Sequence, residues 1–76
     1  MYSENILLKS VEEVKKFVNL VSGFDFDIEL VSGRYVVDAK SIMGIFSLDL
    51  DKPVKMNAET DDAKFIEAVK PFVASK

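Results

Sequence analysis

The stretch that decides the fold of this chain is Asp38-Ala39-Lys40-Ser41-Ile42-Met43-Gly44-Ile45-Phe46-Ser47-Leu48. A serine before an apolar run is typical of a helix N-cap, so we predict a short helix from Ser41 through about Leu48. One or two of the apolar side chains on so short a helix should be exposed, because they cannot all face a core. The apolar set is Ile42, Met43, Ile45, Phe46 and Leu48.

Upstream of this stretch, apolar and acidic residues alternate with the period of a strand. The alternation predicts a strand with one buried and one solvated face, and a solvated face is a better interpretation of its carboxylates than a catalytic pair. Ser32-Gly33 predicts a two-residue hairpin turn, and Arg34–Asp38 should return as the antiparallel partner. The alternating residues are Phe24, Asp25, Phe26, Asp27, Ile28, Glu29 and Leu30.

The N-terminal part predicts a strand followed by a helix. A short apolar run indicates a first strand near Glu4–Leu8. Ser10 and Glu13 fit a capping box, in which the serine hydroxyl accepts from the Glu13 amide and the Glu13 carboxylate reaches back. We expect Gly23 to end the helix in a left-handed conformation. The apolar stripe of this helix is Val14, Phe17, Val18 and Val21.

The C-terminal part predicts one more strand and one more helix. Val54–Ala58 has strand alternation, Thr60-Asp61-Asp62 can cap the last helix, and Pro71 should kink or fray its final turn. The order strand, helix, strand, strand, short helix, strand, helix predicts an α+β fold, with one antiparallel sheet and the helices on one face. The stripe of the last helix is Phe65, Ile66, Val69, Phe72 and Val73.

Composition narrows the class of protein. The 76 residues include no cysteine and no histidine, so we expect one domain over residues 1–76 that is held together by packing alone. A net charge of -3 with scattered basic residues argues against nucleic-acid binding. The apolar runs are short and no secretory signal is visible, so we expect a cytoplasmic protein that does not bind membranes. Asp49-x-Asp51 lacks the remainder of a calcium loop, and we expect no metal, no cofactor and no enzymatic activity.

Lys40-Ser41-Ile42-Met43-Gly44 resembles the regulatory-serine segment of the histidine-containing phosphocarrier proteins (HPr) of the bacterial sugar phosphotransferase system. A gapless alignment from this segment also matches residues 18–22 and 27–30, so the resemblance covers roughly Ser10 to Ala74. It implies the HPr fold, an open-faced sandwich of four antiparallel strands and three helices in the order β-α-β-β-α-β-α. Residues before Ser10 are fewer than usual for the family.

The resemblance also indicates what the chain has lost. The alignment places Ser10 where the phosphoryl-carrying histidine of the family lies, and Glu12 where its arginine lies. A phosphohistidine is energy-rich, whereas a serine ester is a thermodynamic sink, and no base near Ser10 is visible to activate its hydroxyl. We therefore expect a protein that cannot relay phosphate, with Ser10 serving as a helix cap.

Ser41 aligns with the serine that an ATP-dependent HPr kinase phosphorylates in the family. A phosphate there would lie at a helix N-terminus, which favours negative charge, and we expect Lys40 to add a nearby cation. By resemblance, Ile42, Met43 and Phe46 would form a surface for partner proteins, such as HPr kinase or another regulator. The sequence predicts no oligomeric state.

Three functions stay open at this point. The first is a regulatory or binding module with a phosphorylated Ser41. The second is an interaction domain of HPr ancestry in which Ser41 is only a helix cap. The third is a small α+β ligand-binding domain unrelated to HPr, which the order of the strands in the sheet would distinguish from the first two.

Overall fold

The computed structural model describes residues 1–74. The helices and strands occur in the predicted order, and the last helix continues into a 3₁₀ turn at Lys70–Phe72. The elements are β1 (Tyr2–Ile6), α1 (Val11–Val21), β2 (Ile28–Ser32), β3 (Tyr35–Asp38), α2 (Ile42–Phe46), β4 (Val54–Ala58) and α3 (Ala63–Val69).

The four strands form one antiparallel sheet in the order β1-β4-β2-β3. Alternate residues point to opposite faces, so the paired and fully buried Leu30 and Met56 lie on the face that the helices cover. Their neighbours Glu29 and Asn57 lie on the other face, which is open to solvent. The chain is therefore an α+β open-faced sandwich with three helices, as predicted.

An aromatic cluster joins α3 to the segment before β2. The ring of Phe65 is fully buried and makes edge-to-face contacts with Phe24 and Phe26, each at 5.1 Å between ring centroids. Tyr2 on β1 contacts the same ring at 6.2 Å. Such pairs add about 0.5–1.5 kcal/mol each to the free energy of area burial. Phe65 therefore connects three separate parts of the chain.

The first strand lies two residues earlier than predicted. It begins at Tyr2 and ends at Ile6, because these residues pair with β4 from Ala58 back to Val54. After Ile6 the chain turns toward the C-terminal 3₁₀ turn, where the Leu7 amide donates to the Phe72 carbonyl at 2.9 Å. The pairing of β1 with β4, rather than the hydrophobicity of neighbouring residues, thus decides where β1 ends.

The strand predicted to start at Phe24 begins only at Ile28. Phe24 and Phe26 lie outside it, because their rings pack on Phe65 and their carbonyls accept hydrogen bonds from a lysine side chain described below. The hairpin turn is also shifted by one residue. It is formed by Gly33-Arg34, and Gly33 has a φ of 60°, a conformation typical of the first central position of a type II′ turn.

Two helix ends differ from the prediction. Gly23 is not left-handed: α1 ends at Val21 with a right-handed Ser22, whose amide donates to the Val18 carbonyl at 3.0 Å. The helix α2 ends at Phe46 instead of Leu48. Pro71 does end α3, since the helix stops at Val69 and the chain tightens into the 3₁₀ turn.

Replacing Phe65 with alanine should lower the free energy of unfolding by about 3–5 kcal/mol, since it empties the centre of the aromatic cluster. Urea denaturation followed by circular dichroism measures this change. Phe46→Ala is the matched control, because Phe46 is 41% exposed and its truncation should cost much less. Equal losses for the two variants would show that Phe65 has no special role in the core.

Candidate functional site

The first candidate position is Ser10, at the start of α1. Ser10 has an extended backbone, with φ at -150°, and its Oγ accepts a hydrogen bond from the Glu13 amide at 3.2 Å. The Glu13 carboxylate reaches back, as predicted, but it accepts from the amide of Lys9 at 3.3 Å rather than from that of Ser10. The Ser10 side chain thus binds a main-chain amide that the helix itself leaves unpaired, and the Glu13 side chain binds the amide of the residue before the cap.

The surroundings of Ser10 do not favour nucleophilic chemistry. No hydrogen bond within residues 1–74 joins its hydroxyl to a carboxylate that could take the proton. Glu12 is exposed in the first turn of α1 and adds negative charge beside Ser10. A phosphoryl group approaching Ser10 would meet the two carboxylates of Glu12 and Glu13, which repel it.

The second candidate position is Ser41, which is the N-cap of α2 as the sequence predicts. Its Oγ accepts from the Gly44 amide at 3.2 Å, and its carbonyl accepts from the Ile45 amide at 3.0 Å. Its own amide donates to the Asp38 carbonyl at 3.0 Å, which fixes the turn between β3 and α2. The Ser41 residue is exposed, so its hydroxyl is accessible to another protein.

Lys40 has a role that the sequence did not reveal. Its Nζ donates to the carbonyls of Phe24 at 2.7 Å and Phe26 at 3.1 Å, two bonds that are partly buried. Its amide donates to a carboxylate oxygen of Asp38 at 2.9 Å. The ammonium group of Lys40, which was predicted to add positive charge near Ser41, is therefore already bound to the segment before β2. The turn that leads to Ser41 also contains the carboxylate of Asp38.

Gly44 allows α2 to lie close to β3. A Cβ atom at this position would come within 3.2 Å of the Ser41 Oγ and 3.3 Å of the Val37 Cβ. Both distances are tighter than ordinary contacts, so an alanine would push against the capping hydroxyl or against the sheet. This packing role of the glycine could not be predicted from the sequence alone.

The apolar residues of α2 divide between the core and the surface, as predicted. Ile45 and Leu48 are buried, whereas Met43 is 77% and Phe46 41% exposed, and Ile42 is half-buried. We call Ile42, Met43 and Phe46 the α2 surface. Val11, which directly follows Ser10, is a further exposed apolar residue that the sequence analysis did not single out.

The fold and these two capped helix starts define a class of protein, the small open-faced α+β sandwich. The sequence model of the family described as "PTS HPr component phosphorylation site" matches residues 12–75. The chain therefore belongs to the HPr family. The matched residues begin after Ser10, so the family match itself does not include the position aligned with the histidine.

Solved structures agree with the family match. The chain is similar to HPr-C-His from Thermoanaerobacter tengcongensis, with 31% identity over 96% of this chain and 91% of that chain and a TM-score of 0.80. It is also similar to the phosphocarrier protein HPr from Bacillus anthracis str. Ames, with 28% identity over 96% and 94% of the two chains and a TM-score of 0.71. No curated protein sequence matches significantly.

Membership of this family decides two of the predictions made from the sequence. HPr proteins carry phosphoryl groups for partner proteins of the phosphotransferase system and are not enzymes, which confirms the prediction of a non-enzymatic chain. The alternative of a small ligand-binding domain unrelated to HPr is wrong, because the HPr family model matches residues 12–75 and the fold is similar to that of a solved HPr structure. Within residues 1–74, no helix is long and apolar enough to cross a membrane.

Replacing Lys40 with methionine should lower the free energy of unfolding by about 1–3 kcal/mol, because it leaves two partly buried carbonyls without their donor. Hydrogen exchange should show faster exchange in the segment that contains Phe24 and Phe26. Lys52→Met is the control, since Lys52 is an exposed residue in the loop before β4. If exchange changed equally in both variants, the Nζ bonds of Lys40 would not hold this segment.

Proposed function

We propose that this HPr-family chain is a regulatory or binding module that does not relay phosphate. Ser10 and Glu12 replace the histidine and arginine that the family uses for relay, and the chain contains no histidine. The observation that carries the proposal is the capping geometry of Ser10, whose Oγ binds the Glu13 amide without a base beside it. The proposed unit is a single domain over residues 1–76 and its proposed location is the cytoplasm.

The energetics of phosphoryl transfer support the loss of relay. A relay residue must release its phosphoryl group to the next protein as easily as it receives it. A histidine achieves this because its phosphoramidate is energy-rich, while a phosphoserine ester is too stable to pass the group on. Even a phosphorylated Ser10 would therefore store phosphate rather than transfer it.

The proposed switch is phosphorylation of Ser41. Ser41 is exposed and caps α2, so phosphate oxygens at this position could accept from the amides of the first helical turn. Met43 and Phe46, on the helix that Ser41 caps, are exposed. A phosphate on Ser41 would add about two negative charges beside this apolar surface and so change which partner it fits.

The proposed partner surface is the α2 surface of Ile42, Met43 and Phe46. Large apolar side chains exposed together are typical of protein contacts, and methionine adapts well to different partners. HPr kinase is the candidate partner that would modify Ser41, and a regulatory protein is the candidate that would read the modification.

A second candidate is an interaction domain in which Ser41 is never phosphorylated. The hydrogen bonds of Lys40 favour it, because the ammonium group is held by the carbonyls of Phe24 and Phe26. The main-chain amide of Lys40 donates to the Asp38 carboxylate, which places a negative charge close to Ser41. In this case Ser41 serves only as the cap of α2, and the α2 surface binds its partner in one state.

Incubation with ATP and an HPr kinase, followed by intact mass and phosphosite mapping, tests the regulatory proposal. We expect a single phosphate on Ser41 that is absent from the Ser41→Ala variant. An authentic HPr in the same tube shows that the kinase is active. If HPr is phosphorylated and this chain is not, the second candidate replaces the first.

A further inference from the structure

The open face of the sheet carries a shallow depression of about 360 Å³ near the C-terminal end of β4. We call it the acidic depression. It lies on the face of the sheet opposite the helices. Helix α2 packs on the covered face, where Gly44 approaches Val37, so the depression is separate from the α2 surface. Its principal lining residues are Met1, Asp27, Glu29, Val36, Asp38 and Glu59.

The charge of the depression is predominantly negative. Its lining residues bring four carboxylates, no lysine or arginine side chain and one cation, the α-amino group of Met1. Within residues 1–74 the only salt bridge joins Lys70 to Glu67 elsewhere. Glu29 and Asp38 face each other directly across β2 and β3. Like charges in this position destabilise a sheet, and only neutral donors contact them: the Asn57 side chain at 3.2 Å and the Lys40 amide at 2.9 Å.

The depression also has exposed apolar walls. Val36 on β3 is 58% exposed, and Met1, which precedes β1, is 74% exposed. A group that covers this wall and also relieves the repulsion between Glu29 and Asp38 must combine an aliphatic stem with a positive charge. Lysine and arginine side chains have this combination.

We propose that the acidic depression docks a partner protein through lysine or arginine side chains. Their aliphatic stems lie along Val36 and Met1, and their cationic ends lie between the carboxylates of Glu29, Asp38 and Glu59. The docking does not require phosphorylation of Ser41, and it is independent of the function proposed above.

Other occupants fit this face less well. A second copy of the chain that used the same face in a symmetric dimer would place four carboxylates against four. Among residues 1–74, no three acidic side chains lie close enough to hold one metal ion. Nucleic acid is repelled by the carboxylates. A basic protein surface is the occupant that this chemistry favours.

The experiment is an NMR titration of the unmodified protein with an acetylated, amidated peptide, Lys-Val-Arg-Val-Lys, at low salt. We expect amide shifts confined to the lining segments of β2, β3 and the end of β4, with a Kd of about 0.1–1 mM. The double variant Glu29→Gln/Asp38→Asn should weaken binding by about fivefold or more. The same variant should unfold at higher urea concentration, because it removes the repulsion between the strands.

The control variant is Asp49→Asn/Asp51→Asn, which removes two charges from the loop at the opposite end of β4 and should bind the peptide as the native chain does. The peptide Glu-Val-Asp-Val-Glu should not bind. Equal weakening by both double variants, or shifts spread over the whole surface, would mean that only net charge attracts the peptide and would overturn the proposal.

Discussion

The contacts of the Phe65 ring connect α3 to β1 and to the segment before β2, and this segment in turn binds the lysine that precedes Ser41. Phe65 joins α3 to Phe24 and Phe26, and the carbonyls of these two residues are held by the Nζ of Lys40, the residue before Ser41. The segment that contains Phe24 and Phe26 therefore contacts both the hydrophobic core and the residue that precedes the N-cap of α2. In a chain without cysteine or histidine, side-chain packing has to supply this rigidity.

Local patterns predicted the elements well, and long-range contacts decided where several of them end. The bounds of β4 at Val54–Ala58 were predicted correctly, because its alternation continues through the whole strand. The predicted bounds of β1 and β2 were wrong because both depend on contacts between distant parts of the chain. Pairing with β4 sets the bounds of β1, and packing of Phe24 on Phe65 keeps Phe24 out of β2. Neither contact can be read from neighbouring residues in the sequence.

The same division applies to the candidate site. The caps at Ser10 and Ser41 were predicted because capping depends on residues three positions apart. The bonds from Lys40 to Phe24 and the packing of Gly44 on β3 were missed, because they join residues that meet only in the folded chain. Family membership establishes the HPr fold, while the residues at positions 10 and 12 carry the proposed difference from HPr chemistry.

Loss of the phosphoryl relay is tested most directly by incubating the chain with the phosphotransferase components that charge an authentic HPr. Intact mass would be measured at neutral pH, and the authentic protein in the same mixture shows that the components are active. We expect phosphate on the authentic HPr and no added mass on this chain. A phosphate that appears on this chain, disappears in Ser10→Ala and passes from this chain to the next protein of the system would contradict the proposal that it does not relay phosphate.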